Sequence, residues 1–235
     1  MAGFGVATDP WAFADTYINL ISSTPGAKTG SAAQCPDSNG DVIDETEYDT
    51  GATHEAEYEV LPGGSASFKD TSVDFRLGKV ISSKVITGIV VSRNNTGGRL
   101  NVKISGENCP QADSAVAKFT PVFADTTATA AYLTGGLNAL VMGIVVSAGR
   151  VVASTVTASV QVAKGLDSGG AQVFKGVYNG RMEASNDLVS SDTAPAAAAD
   201  TTNSWVLTAS NSKGETNTGY PTATISAYRN MTRDT

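Results

Sequence analysis

One histidine and two cysteines in 235 residues leave few ways to build a metal centre or a nucleophilic triad. The histidine, His54, sits in an acidic segment, which fits a solvated imidazole better than a catalytic base. Cys35 and Cys109 stand far apart and in no CxxC or Cys/His spacing, so they offer two free thiols or one bridge and no zinc site. Charged residues make up 17% of the chain, below the usual quarter, and aromatics 7%. No GxxxxGK[ST] loop is present, and Gly3-Phe4-Gly5 lacks the third glycine of a dinucleotide fingerprint. The most apolar run, Leu137 to Ser147, is about half of the ~20 residues a membrane helix needs and reads as a buried strand. No Lys or Arg precedes Lys28, which predicts a chain that is not exported through a secretory signal.

What is abundant is small. Ala, Thr and Ser together supply 82 of the 235 residues, with 24 glycines besides. Such residues suit wide, polar-faced sheets, because their side chains lose little entropy on ordering. A net charge of −7 and a pI near 4.7 argue against nucleic acid or an anionic membrane as partner. The charge is also segregated: residues 1 to 70 carry 12 acids against Lys28 and Lys69, so the rest of the chain is net positive.

The organisation reads as an arm followed by one β domain. Asp9 as N-cap, Pro10 at the first helical position, and Trp11, Phe13, Ala14, Tyr17 and Ile18 at spacings of three and four predict a short helix. A Gly/Ser/Ala stretch to Gln34 then reads as a linker, making residues 1–36 an N-terminal arm whose aromatic face needs a partner surface. From 37 to 235 the period is two. Leu100, Val102 and Ile104 alternate with polar neighbours, and Val152, Val156, Ala158, Val160 and Val162 take one face of a longer strand. Further strands are expected near 55–61, 65–69, 72–77, 84–92, 115–123, 128–134, 139–147, 171–178, 204–210 and 222–229, with Trp205-Val206-Leu207 and Tyr228 inward. Turn signals between them fit an all-β, antiparallel β-sandwich, jelly-roll-like, or a barrel. The stretch 184–203 is too poor in large apolar residues for core and reads as a surface loop or a crossing segment between subunits. Thr87 to Ser92 echoes Met142 to Ser147, as a duplication or as two equivalent core strands.

Acids and bases supply the only candidate sites. Asp37, Asn39 and Asp41 hint at a calcium loop, but Gly40 falls at the fourth place rather than the sixth, and an Asn-Gly hairpin turn explains the same residues. No cofactor is expected, calcium at this turn being the one candidate. Glu55, Glu57 and Glu59 project from one strand face with Cα steps of ~6.6 Å, a glycosidase-like separation without the contrast of environments that acid–base catalysis needs. The chain is read as no enzyme. Arg76, Lys79, Lys84, Arg93, Arg99 and Lys103 occur in 76–105 without an acid. Too few aromatics are interleaved for nucleic-acid stacking, so the basic strands are expected to face the acidic 37–59 segment, within one subunit or across two. Trp11, Phe13 and Tyr17 complete the expected contact set.

A small-residue β-sandwich with an N-terminal arm and no active-site motif resembles, over its whole length, structural proteins of bacteriophage virions: capsid decoration, minor capsid and tail proteins. The resemblance implies a homo-oligomer, or a protein bound to other virion proteins, assembled in the host cytoplasm and localised to the virion, with no nucleic acid or membrane partner. The alternative is a carbohydrate-binding or adhesive β-sandwich, which would use exposed aromatics among Tyr48, Tyr58, Tyr178, Tyr220 and Trp205.

Overall fold

In a computed structural model of the chain the described residues are 9–11, 18–36, 38–60, 76–94, 100–108, 118–121, 141–168, 172–191, 193–213 and 219–234. They form eleven strands: β1 (Ile18–Pro36), β2 (Val42–Val60), β3 (Val80–Ile81), β4 (Lys84–Asn94), β5 (Leu100–Asn108), β6 (Ile144–Ala148), β7 (Arg150–Leu166), β8 (Gln172–Val189), β9 (Ala196–Ala199), β10 (Val206–Lys213) and β11 (Thr222–Asn230). Nine of them make one antiparallel sheet in the order β1-β2-β5-β4-β7-β8-β11-β10, with β3 paired to β4 off that path, and β6 pairs with β9 in a second. The sheet is open, so the barrel form of the expectation does not apply. Nor do the described strands divide into two equal four-stranded sheets as in a jelly roll; the layers are unequal.

Alternation builds the inner face. Cross-strand partners line up as one row, Tyr58, Val102, Val91, Val156, Ala184 and Ala227, all buried. The adjacent row is Ala56, Ile104, Ile89, Ala158 and Met182. These continuous apolar rows are what holds so many short side chains together, since each contributes little area alone. The first row shrinks to alanine on β8 and β11, where the second layer comes closest. A Cβ on Gly143, just before β6, would lie 3.0 Å from Ala227, 3.1 Å from Trp205 and 3.2 Å from Ala184. Gly143 also has φ +82, a conformation that glycine adopts without strain. Elsewhere Trp11, Leu77 and Phe119 cover the face: Trp11 lies over Gly106 and Phe119 over Gly180, with Leu77 and Phe119 joined by a short antiparallel bridge.

Several expectations change. The Gly/Ser/Ala stretch to Gln34 is not a linker: Ile18–Pro36 is a strand paired with β2 from Ile18↔Val60 to Pro36↔Val42. Its small residues and glycines hide the strand because the partner, and not intrinsic propensity, holds it extended. The helix cannot continue through Ile18, and residues 12–17 lie outside the described residues. The 184–203 stretch is not a loop either, since it contains the end of β8, all of β9 and a 3-10 turn at Thr201–Asn203. On β7 a register shift between Val151 and Ala153 turns Val151 inward, leaving Val152 half-buried and setting Ser154 in phase with Val156, Ala158 and Val160. The two echo segments are not equivalent: Thr87–Ser92 lies within β4 of the large sheet, whereas Met142–Ser147 leads into β6 of the small one. The expected strands at 65–69 and 128–134, with most of 72–77 and 115–123, lie outside the described residues.

Candidate assembly site

The acidic and basic segments meet inside one chain, but only in part. Glu57 and Lys103 are cross-strand partners, and Lys103 Nζ lies 2.7 Å from Glu55 Oε2 with both side chains nearly half exposed. This answers, for Glu55 and Lys103, whether the pairing lies within a subunit. Glu59 pairs with Asn101 on the same outer face. The basic residues do not form one patch. Arg93 is buried in the inner-face row that continues through Ser154 and Asn186, Lys103 is on the outer face, and Arg76 is half-buried next to the Leu77–Phe119 bridge. Lys84 stands near His54, whose pKa is lowered first by burial and then by the Lys84 charge. Arg99 lies outside the described residues.

The distal acids are placed differently. β2 pairs with β5 only between Thr53 and Val60, whereas its pairing with β1 continues to Val42. The hairpin therefore outruns its sheet by about ten residues per strand, roughly 30 Å as a two-stranded ribbon. Among the described strands none but β1 pairs with β2 from Val42 to Ala52, and none pairs with the outer edge of β1. Between Thr29 and Gly51 the sequence has six acids and no base. At the same end of the sheet β7 and β8 also run on, from the last β4 pair at Gly88↔Ser159 to Leu166↔Gln172. An ion pair between Lys164 and Glu107 joins this second hairpin to the end of β5, and β2 comes close to β8 without pairing with it. Asn39 and Asp41 are exposed in the turn of the long hairpin, where Gly40 has φ +91; Asp37 lies outside the described residues. Among the described residues no group of three or more His, Cys, Asp or Glu is placed to hold a metal ion. Cys35, near the turn, is an exposed free thiol.

Trp11 is not presented to a partner. It is 1% exposed, packed against Gly106, and its backbone N–H donates to Asp9 Oδ1 at 2.8 Å. The Tyr58 hydroxyl donates to the same oxygen. Phe13 and Tyr17 lie outside the described residues. Of the aromatics considered for glycan binding, Tyr58 and Trp205 are core residues, and the side chain of Tyr48 is not among those described. Tyr178 and Tyr220 are exposed. They stand towards opposite ends of β8, Tyr178 within it and Tyr220 beside Val189, so roughly 35 Å of strand separates them and they form no common platform.

Val206 and Leu207, expected inward in the strand at 204–210, are exposed in the outermost strand, β10. It pairs with β11 on one side, its other edge has no described partner, and every residue from Val206 to Ser210 is exposed. Val206–Ser212 is a β-tolerant run without a single charge.

Fold and surfaces together define an open, antiparallel all-β protein with unequal layers. Among the described residues no helix is long and apolar enough to cross a membrane. No protein-family model matches the chain, and no curated protein matches it.

Proposed function

We propose that this chain is a structural protein of a bacteriophage virion, a capsid decoration, minor capsid or tail component, that self-assembles or seats on neighbouring virion proteins and carries out no catalysis. The observation that supports the reading is the β1–β2 hairpin that outruns its sheet. A two-stranded ribbon has little stability alone in water, because it has no second face to bury. A neighbouring subunit that receives it supplies that face. The six acids between Thr29 and Gly51 make a basic or amide-rich receiving surface the favourable one, and make the contact sensitive to salt.

Replacing residues 29–51 by Asn-Gly closes a two-residue hairpin across the Lys28↔Ala52 pair and leaves the β2–β5 ladder whole. The full chain is expected to sediment and scatter light as an assembly well above 24.0 kDa that loosens at high salt. The shortened chain is expected to melt cooperatively and to form nothing larger than a dimer. A full chain that stays at the mass of one or two copies at both salts, or a shortened chain that assembles as the full one does, would overturn the proposal.

A further inference from the structure

We infer that the outer edge of β10, which has no partner among the described strands, is a pairing edge, and that its partner is β10 of a second copy, added antiparallel about a twofold axis so that two sheets run on as one. The inference rests on the self-assembly reading above but uses a surface at the opposite end of the strand order from the ribbon.

An open sheet has two edges, and this one treats them unequally. β1 carries the features that discourage strand addition: Pro25, Lys28 and Pro36 in its sequence, and four register shifts along its ladder with β2. β10 carries almost none. Its ladder with β11 has one register shift, between Leu207 and Ala209, and no proline or charge occurs from Val206 to Ser212. Val206 is 50% and Leu207 37% exposed, two adjacent large apolar side chains on this edge, where β1 exposes Ile21 beside its prolines and Lys28. An unpaired row of backbone N–H and C=O groups beside exposed apolar side chains is a template for another strand.

The sequence of β10 selects the occupant. Antiparallel pairing of a strand with its own copy sets each residue against another of the same run, and here no two like charges meet between Val206 and Ser212. Pairing β10 with β1 of a neighbour would instead set it against the prolines, Lys28 and the shifted register. Eight residues of edge cover less than a standard interface, so the contact is a micromolar one in solution and is reinforced by the ribbon in the assembly.

The test uses charge on small, exposed positions that the fold does not need. A Thr208→Lys/Ser210→Lys chain and a Thr208→Glu/Ser210→Glu chain are prepared in the ribbon-shortened background and examined by sedimentation velocity from a few to about 200 μM. The shortened parent is expected to dimerise with increasing concentration, each charged chain to dimerise at least tenfold more weakly, and an equimolar mixture of the two to recover the dimer. Hydrogen exchange at Val206–Ser212 is expected to slow as the parent dimerises. A shortened parent that is monomeric throughout while the full chain still forms large assemblies would overturn the β10 pairing alone. So would charged chains that dimerise as the parent does. A dimer that behaves as expected, in a full chain that goes no further at either salt, would leave β10 standing and remove the virion-assembly proposal.

Discussion

The hydroxyl of Tyr58 donates to the carboxylate of Asp9, forty-nine residues away in sequence. The same Asp9 oxygen accepts the backbone N–H of Trp11. One carboxylate thus holds the N-terminal segment in a tight turn and fastens it to the inner face of β2, with the Trp11 ring delivered into the core over Gly106. Asp9 does resemble a capping residue, but the donors it satisfies are Trp11 and a tyrosine of the sheet.

That bond gives the fold an alkaline limit. An unfolded tyrosine loses its proton near pH 10. In the folded chain the Tyr58 pKa is raised, first by burial, then by the hydrogen bond to Asp9 and the Asp9 charge, so the phenol keeps its proton at higher pH. Above pH 10 the unfolded chain therefore binds fewer protons than the folded one. The contribution is complete below pH 10 and is lost as pH rises through the alkaline range. Tyr58→Phe is expected to cost about 1.5–3 kcal/mol at neutral pH, the range for a hydrogen bond to a charged group, and to flatten the alkaline fall. Urea titrations of both chains from pH 7 to 11 read both effects.

Removal of residues 1–36 is expected to abolish the fold, because it deletes an entire sheet strand together with Trp11. The smaller change Trp11→Ala should cost about 3–5 kcal/mol, as for other fully buried large aromatics. Gly106→Ala attacks the same contact from the other side: an added methyl would meet the Trp11 ring and the Val85 carbonyl oxygen. A loss of about 1–3 kcal/mol is expected for such overpacking. Truncated protein that melts cooperatively, or a Trp11→Ala chain as stable as the parent, would return these residues to the status of an arm.

How much of this was legible depends on where the information lies. Val102 and Ile104 could be read as inward because an alternating strand buried on one face writes that period into its sequence. Val152 was misplaced because a bulge on β7 shifts the period by one, and a bulge is set by the partner strand. β1 and the 184–203 stretch were missed for a related reason. Their small residues are tolerated because a neighbour lies close, and the neighbour is remote in sequence: Val42–Val60 for β1, and Gly143 for Ala184. The charge segregation of the assembly site was visible in composition. Its division into proximal acids facing β5 and distal acids beyond it follows from where β5 ends, which no local pattern records.

Asn186 ties the layers together through a buried polar path. Its Oδ1 accepts from the Ser154 hydroxyl at 2.8 Å, and its Nδ2 donates to the Met142 carbonyl at 3.0 Å, just before the chain enters β6. Asn186→Ala removes both bonds at once and leaves the Met142 carbonyl without this donor, at a cost of about 1–3 kcal/mol. Ser154→Ala strands only the Asn186 oxygen and should cost less. The double variant should cost less than the sum of the two, because the one Ser154–Asn186 bond is lost in each single variant and is counted twice in the sum. Chemical denaturation of the three chains measures the coupling, and strict additivity would mean that the path is not a unit.

Lys103 offers the contrasting case. Its ion pair with Glu55 is nearly half exposed on both sides, so the attraction is screened and the long side chains lose entropy in making it. Lys103→Ala is expected to change stability by no more than about 1 kcal/mol, and less at high salt. A larger loss would show that the outer-face charges organise the sheet.

His54 allows two causes of one pKa to be separated, since as the sole histidine its imidazole resonances can be followed without assignment. Burial acts first to lower its pKa below 6.5, and the Lys84 charge adds to that. The folded chain therefore resists protonation where the unfolded chain accepts it. The associated stability is present above pH 6.5 and declines as pH falls below it towards the folded pKa. Lys84→Met removes the charge and leaves the burial. Its titration midpoint, read by proton NMR, is expected to rise without reaching 6.5, and a midpoint that does not move would assign the whole shift to burial.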